Sequence, residues 1–163
     1  MLTKRRNDMS EEKNYLLLLK QLQALVKDEP DPIANLSNSA ALLNQFMDRI
    51  NWVGFYLLKN SQLVLGPFQG LPACTRLEVG KGVCGTAVQE NKTQRVADVH
   101  KFPEHIACDV ASRSEIVIPL RKNNQIVGVL DIDSPELDRF NELDQIYLEK
   151  FCEQLMNDLP SIF

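Results

Sequence analysis

Residues 115–133 read EIVIPLRKNNQIVGVLDID, and this stretch decides the fold. Two runs rich in β-branched residues flank Asn123-Asn124, a pair that favours a tight turn. Pro119 suits the end or the edge of a strand, because proline has no N–H to donate to a neighbour. The stretch therefore predicts an antiparallel β-hairpin.

The flanking segments add further strands and helices. Trp52–Leu58 is aromatic and β-branched, and Asn60-Ser61 turns it into a second hairpin. Apolar residues three and four positions apart predict helices at both ends of the chain. The predicted helices are 11–27 (with Ser10 as N-cap), 33–50, 82–90 and 140–159, and the remaining strands are 62–66, 76–79 and 93–96. This order predicts an α+β fold, with helices packed on a central antiparallel sheet.

Residues 98–112 show weak periodicity and predict an extended loop with one helical turn. A loop of that length in a compact domain is usually functional. We expect a single domain over residues 11–163, preceded by a flexible tail over residues 1–10.

Composition limits the classes of partner and compartment. The 163 residues carry a formal net charge of -4, which gives no reason to expect nucleic acid or an anionic membrane as partner. The first ten residues lack the apolar core of a signal peptide, and no apolar run is long enough to span a bilayer. We therefore expect a cytoplasmic protein.

Alternation along the strands separates an apolar face from a mixed one. The mixed face carries two aromatic residues and three carboxylates: Trp52, Tyr56, Glu115, Asp131 and Asp133. If these lie on one side of the sheet, they form an acidic cup suited to an amino group or to acid catalysis. The alternative is a partly solvated face with ordinary surface charges.

Three of the four cysteines fall within residues 74–108. Cys84 follows a glycine-rich turn near the start of a predicted helix, where the helix dipole and Lys81 are expected to lower the thiol pKa. Cys108 follows His105, whose imidazole can help to form a thiolate. Either cysteine can instead be a packed residue of no chemical role, and Cys74 alone says little.

Two other interpretations concern cysteine. Cys152 lies beside the apolar face of the last helix, which predicts a packing role. A zinc site would use His100, His105 and Cys108, completed by Cys74 or Cys84, but this spacing is not a standard zinc pattern. We expect no resident metal.

With these residues assembled, the chain resembles the free methionine-(R)-sulfoxide reductases, which are GAF-domain enzymes. The similarity runs from the second helix to the last. The segments that carry it are NWVGFY (51–56), LGPFQG (65–70), GKGVCG (80–85), HIACD (105–109), SRSEIV (112–117) and GVLDIDS (128–134). GAF folds mostly sense small molecules, so the fold alone does not determine the function.

The resemblance implies roles for these positions. Cys108 would attack the sulfoxide sulfur and become a sulfenic acid, which Cys84 or Cys74 would resolve as a disulfide for thioredoxin to reduce. The sequence does not decide which of Cys84 and Cys108 is the nucleophile. Glu115, Asp131 and Asp133 would hold the substrate amino group and protonate the sulfoxide oxygen. Trp52 and Tyr56 would enclose the methyl-sulfur end, with no bound cofactor.

Two other classes of function remain. The runner-up is a non-catalytic GAF sensor that binds a small ligand or responds to redox state, and the expected absence of an output domain argues against it. A zinc-binding interaction module is the third interpretation. The resemblance also implies a possible homodimer, for which the leucine-rich first helix offers a surface.

Overall fold

The computed structural model describes residues 2–105 and 108–160, and it confirms the α+β architecture. Six strands form one antiparallel sheet in the order β3-β2-β1-β6-β5-β4. The strands are β1 (Trp52–Lys59), β2 (Gln62–Gly70), β3 (Arg76–Glu78), β4 (Gln94–Val96), β5 (Ser114–Lys122) and β6 (Gln125–Ser134). The helices are α1 (Leu2–Val26), α2 (Pro32–Phe46), α3 (Gly82–Glu90) and α4 (Glu142–Asp158), with a short 3-10 turn at Val99–Lys101.

The hairpin that the opening stretch predicts is present and lies near the centre of the sheet. β6 pairs with β5 on one side and with β1 on the other. Pro119 is accommodated because β4 pairs with β5 only as far as Val117, so the sheet edge beside Pro119 has no partner strand. The hairpin therefore joins the two halves of the sheet.

Two separate hydrophobic cores lie on the two faces of the sheet. Helices α1, α2 and α4 contribute to the larger core, on the apolar face that alternation predicts. α3 packs on the opposite face, against Trp52, Tyr56, Val117 and Val129. One face therefore supplies stability, and the other holds a smaller cluster that includes the aromatic residues of the predicted cup.

The end of the β5–β6 hairpin departs from strict alternation. The register shifts between Leu120 and Arg121, which pairs Leu120 with Gly128 but Arg121 with Ile126. Val127 therefore packs against the larger core, while Ile126 packs against the smaller one. Strict alternation along β6 would place Ile126 on the apolar face with Leu130 and Ile132, and the bulge reverses the side to which Ile126 points.

Helix boundaries differ from prediction where tertiary contacts or capping decide them. α1 begins at Leu2 rather than near Glu11, so Ser10 is not its N-cap and residues 2–10 lie in a helix. α2 begins at Pro32, after the N-cap Asp31, whose Oδ1 accepts a hydrogen bond from the Ala34 N–H. The division into a tail and a single domain stays a prediction.

α1 is fastened to α4 by polar contacts as well as by apolar packing. The Tyr15 hydroxyl donates to Asp144, 2.5 Å away, and the Tyr15 and Tyr147 rings stack at 5.2 Å. Asp144 also receives a hydrogen bond from Arg139 and completes the capping box of α4 with Asn141. Within the described residues, no helix is long and apolar enough to cross a membrane.

Candidate active site

The predicted mixed face lies on one side of the sheet, as expected. Trp52, Asp133 and Glu115 are direct cross-strand neighbours on β1, β6 and β5. Asp131 lies on the same face of β6 as Asp133, and it pairs with Val117 of β5. Period-two alternation on three adjacent strands therefore brings residues 63 positions apart in the sequence, from Trp52 to Glu115, to one site.

α3 and two loops close this face into a pocket. Seven of the eight predicted site residues line it, and the eighth, Cys74, is bonded to one of them. The seven are Trp52, Tyr56, Cys84, Cys108, Glu115, Asp131 and Asp133. The interior measures about 50 Å³, which is room for a few water molecules.

Glycine lets α3 approach the sheet closely enough to form this pocket. A Cβ at Gly85 would lie 2.2 Å from the Glu78 carbonyl oxygen, so no other residue fits there without displacing backbone. Gly82 adopts a φ of 66°, which favours glycine at the start of the helix. The glycines around Cys84 thus bring its thiol down to the carboxylates.

The alternative of a solvated mixed face was wrong for its central members. Glu115 and Asp131 are each 6 % exposed, and Trp52 and Tyr56 are buried as well. Asp133 is partly exposed. A pair of buried carboxyl groups with no basic partner among the described residues is costly, and such costly groups are common at functional sites.

Burial and mutual repulsion set the protonation of these acids. Burial raises the pKa of Asp131 to about 6, an effect that Glu115 and Cys84 partly offset. Burial, Asp131 and Asp133 raise the pKa of Glu115 well above its usual value. Burial and the same neighbour, Asp131, also raise the pKa of Asp133. The raised pKa shifts Glu115 towards its protonated form, in which it can donate a proton.

The prediction that Cys84 has a lowered thiol pKa was wrong. Burial, followed by Asp131 and Glu115, raises the pKa of Cys84 well above its usual value, and its Sγ lies 4.0 Å from Glu115 Oε1. Lys81 does not compensate, because its Nζ pairs with Glu78 Oε2 at 2.8 Å. The desolvation and the acidic neighbours outweigh the start of a short helix.

The other two candidate cysteines form a disulfide. Cys74 and Cys108 are bonded across the mouth of the pocket, with Cα atoms 5.5 Å apart, while Cys84 remains a free thiol. Both bonded cysteines are partly exposed. The zinc interpretation based on His100, His105 and Cys108 loses a ligand here, because a disulfide sulfur is not a thiolate. Cys152 is buried in the larger core, which confirms its packing role.

The aromatic residues hold the loop that carries Cys74. The Trp52 Nε1 donates to the Leu71 carbonyl at 3.2 Å, and the Tyr56 hydroxyl donates to the Cys74 carbonyl at 2.8 Å. The Trp52 ring stacks between those of Tyr56 and Phe68, with centroids 5.9 and 5.2 Å away. Both aromatic residues thus wall the pocket and position one cysteine.

Sequence reasoning missed the residue that anchors the other loop. The Asn51 Nδ2 donates to Asp109 Oδ2 at 2.9 Å and to Ser112 Oγ at 3.1 Å, which ties the segment after Cys108 to the start of β1. Asp109 and Ser112 also line the pocket. The only sequence signal was the position of Asn51 beside Trp52, which gives no hint of a partner 58 positions away.

Comparison with known proteins assigns this architecture. The family model for the GAF domain matches residues 39–157. A free methionine-R-sulfoxide reductase of Escherichia coli K12 is 52 % identical over 147 residues, covering 90 % of this chain and 89 % of the relative. The chain belongs to the GAF-domain family of free methionine-R-sulfoxide reductases.

Two solved structures of this GAF family match both the fold and most of the length. The reduced form of fRMsr of Staphylococcus aureus superposes with a TM-score of 0.88 at 56 % identity, covering 90 % of this chain and 96 % of that one. A free methionine-R-sulfoxide reductase from Neisseria meningitidis, in complex with its substrate, gives a TM-score of 0.86 at 46 % identity, covering 88 % and 87 %. Each match therefore extends over nearly nine tenths of this chain or more.

The buried acids of this GAF domain predict an unusual dependence of stability on pH. The Asp131 carboxyl has a higher pKa when folded, so the unfolded chain ionises first as the pH rises from about 4, and the native state loses relative stability until about pH 6. We expect Asp131→Asn to escape this loss. Its free energy of unfolding relative to the parent should rise by on the order of 1–3 kcal/mol between pH 4 and pH 7.

Urea unfolding at both pH values measures this difference. The matched control is Asp138→Asn, since Asp138 is exposed and outside the pocket. A variant whose stability relative to the parent is the same at pH 4 and pH 7 would contradict the raised pKa of Asp131.

Proposed function

We propose that this protein reduces free L-methionine-(R)-sulfoxide to L-methionine, using two cysteines as the electron source. The observation that carries the proposal is the Cys74–Cys108 disulfide at the mouth of a pocket lined by Glu115, Asp131 and Asp133. Relatives named for this activity, at 39 to 52 % identity over most of the chain, support the choice of substrate.

The reaction balances without a bound cofactor. The Cys108 thiolate attacks the sulfoxide sulfur, the oxygen passes to the cysteine as a sulfenic acid, and methionine leaves. The Cys74 thiol then attacks the sulfenic sulfur, which forms the disulfide and releases water. The two thiols supply both electrons, and an external dithiol must restore them.

Cys108 is the better candidate for the attacking thiol. The Cys84 thiol is buried beside two carboxyl groups that raise its pKa, so it forms little thiolate at neutral pH. Cys108 lies at the pocket mouth with His105, whose pKa is lowered by burial and by His100, so the imidazole is available as a base. Because the observed disulfide joins Cys108 to Cys74, we assign Cys74 as the resolving cysteine.

The carboxyl groups have two tasks in this scheme. A sulfoxide oxygen leaves poorly unless it is protonated, and the raised pKa of Glu115 favours the protonated form that can supply this proton. Asp131 and Asp133 are placed to hold the substrate ammonium group, whose positive charge would favour their ionised forms, and Asp131 Oδ1 has no hydrogen-bond partner among the described residues. Trp52 and Tyr56 enclose the methyl-sulfur end with their apolar faces.

The size of the pocket implies a movement during the cycle. A cavity of about 50 Å³ is too small for an amino acid, so the disulfide-bonded state has no room for the substrate. We propose that reduction of Cys74–Cys108 frees the loop of Cys108 to open the pocket, and that disulfide formation after turnover closes it.

Turnover of the separated epimers of free methionine sulfoxide tests the function. With thioredoxin, thioredoxin reductase and NADPH, we expect oxidation of NADPH with the R epimer only. N-acetyl-methionine-(R)-sulfoxide is the matched control, because it keeps the sulfoxide but lacks the ammonium group. Folded protein with free thiols that reduces neither epimer would refute the proposal and favour a sensor of a small ligand.

The surface around the disulfide supports a protein as the reductant. Val110 is 92 % exposed and Leu71 is 65 % exposed, and they are the two most exposed large apolar side chains in the described part of the chain. Each lies within three positions of one of the bonded cysteines. Apolar side chains beside a reactive disulfide offer contact area to a dithiol protein such as thioredoxin.

The double variant Leu71→Ser/Val110→Ser is therefore expected to lower the kcat/KM for thioredoxin by about tenfold, because two peripheral apolar contacts with thioredoxin are lost. Turnover with dithiothreitol should stay within twofold of the parent, since a small dithiol needs no docking surface. Leu137→Ser, at a remote residue that is 54 % exposed, is the control. An equal loss with both reductants would place Leu71 and Val110 in the chemistry instead.

A cytoplasmic location and a homodimer stay predictions.

A further inference from the structure

A thiol and two carboxyl groups meet at the floor of the pocket. The Cys84 Sγ and one carboxylate oxygen each from Glu115 and Asp131 all lie within 4.8 Å of one another. The three residues come from α3, β5 and β6, and none is more than 6 % exposed. Three separate elements of the fold therefore hold these donors in place.

One of these donor atoms has no hydrogen-bond partner among the described residues. Asp131 Oδ1 is fully buried there without a bonded neighbour, although Asp131 lines the pocket. Buried polar atoms in native proteins are nearly always bonded, because an unpaired one keeps the full cost of its desolvation. The unpartnered oxygen indicates a position for a positively charged group inside the pocket.

The described part of the chain supplies no cation at this position. Of the two basic residues that line the pocket, Lys81 is exposed and paired with Glu78, and His105 lies at the mouth beside Cys108. The acids at the floor are left facing one another and Asp133. A bound cation would offset the repulsion among these carboxyl groups.

We propose that Cys84, Glu115 and Asp131 form a binding site for a thiophilic divalent cation, with Zn²⁺ as the best fit. One thiolate and two carboxylates with a water molecule make a four-coordinate zinc site. The donor atoms need to approach one another by about 1 Å to reach zinc distances of roughly 2.0–2.3 Å, which side-chain rotation can supply. The thiolate disfavours Mg²⁺ and Ca²⁺, which prefer oxygen donors alone.

The pocket volume favours an ion over an organic ligand in the disulfide-bonded protein. About 50 Å³ holds a metal ion with one or two water molecules, whereas an amino acid does not fit. The site is therefore accessible to zinc in a state that excludes the proposed substrate.

Zinc at this position inhibits the enzyme, and this consequence rests on the proposed function. The bound ion would occupy the carboxyl groups that otherwise hold the substrate ammonium group and protonate the sulfoxide oxygen. Inhibition should be competitive with free methionine-(R)-sulfoxide. Zinc binding itself requires no turnover, so the two proposals fail in different experiments.

Calorimetric titration of the disulfide-bonded protein with Zn²⁺ tests the site. Cys74 and Cys108 are then blocked, so the free thiols are those of Cys84 and Cys152. We expect one zinc ion per chain, binding at least tenfold weaker to Cys84→Ser and unchanged binding to Cys152→Ser. Asp131→Asn serves as a second variant if Cys84→Ser fails to fold, and it should show the same loss.

The outcomes separate the site from nonspecific binding. Weak binding of Mg²⁺ together with a loss of zinc affinity in both pocket variants supports the proposal. Zinc affinity that is unchanged by Cys84→Ser and Asp131→Asn, or no saturable binding at millimolar zinc, overturns it. Stoichiometric zinc binding without inhibition of an active enzyme would refute the competition and leave the site standing.

Discussion

Cys108→Ser is expected to abolish turnover of free methionine-(R)-sulfoxide, lowering kcat on the order of 10³-fold or more. A serine hydroxyl is not ionised near neutral pH, and its oxygen cannot take up the sulfoxide oxygen as a sulfenic acid does. NADPH oxidation in the thioredoxin-coupled assay measures the loss. Methionine released in a single turnover without reductant measures the chemical step by itself.

The other cysteine variants identify which thiol attacks. With Cys108 as nucleophile, Cys74→Ser still releases one methionine per chain but stops at the sulfenic acid. Cys84→Ser should release methionine and form the disulfide, and Cys152→Ser is the matched control in the larger core. If Cys84→Ser releases none and Cys108→Ser releases one, then Cys84 is the nucleophile.

Glu115→Gln is expected to lower kcat by about 10²- to 10⁴-fold, the usual contribution of a positioned general acid. Glutamine keeps the volume of the side chain but has no acidic proton to give to the sulfoxide oxygen. In the parent, kcat should fall at alkaline pH as Glu115 ionises, because its pKa is raised by burial and by the neighbouring aspartates. That alkaline decrease should be absent from the variant.

The pH profile separates acid catalysis from a merely structural role for Glu115. A variant that is only misfolded or loosely packed would lose activity at every pH and still show the parental profile. Glu142→Gln is the control, since Glu142 is exposed on α4 and remote from the pocket. A Glu115→Gln enzyme with kcat within twofold of the parent would remove Glu115 as the acid.

Local signals explain why so much of the fold was predictable. β-branched runs around Asn123-Asn124 and Asn60-Ser61 gave both hairpins, and alternation separated the apolar face of each strand from the mixed one. These signals act over a few residues and depend on backbone preference and burial. The start of α1 was not predicted correctly, because the apolar periodicity of the sequence begins only after residue 10, although the helix begins at Leu2.

The chemical state of the site was not predictable in the same way. A glycine-rich turn before Cys84 suggested a lowered pKa, and the structure reverses the sign of the shift. The thiol is buried in the fold, and Asp131 and Glu115 lie beside it although they are 47 and 31 positions away in the sequence. The anchoring of Asp109 by Asn51 and the pairing of Cys74 with Cys108 are likewise long-range contacts. Sequence spacing does not determine any of these distances.

The sequence by itself determined the elements, the antiparallel sheet and the residue types of the site, since these follow from local periodicity and from a family resemblance carried by short motifs. Only the tertiary structure decided that the acids are buried together, that Cys84 is a poor thiolate and that the disulfide joins Cys74 to Cys108. The physical reason is that a pKa and a bond both depend on which groups lie within a few ångströms. That proximity is a property of the folded chain, in which α3 and two loops close over one face of the sheet.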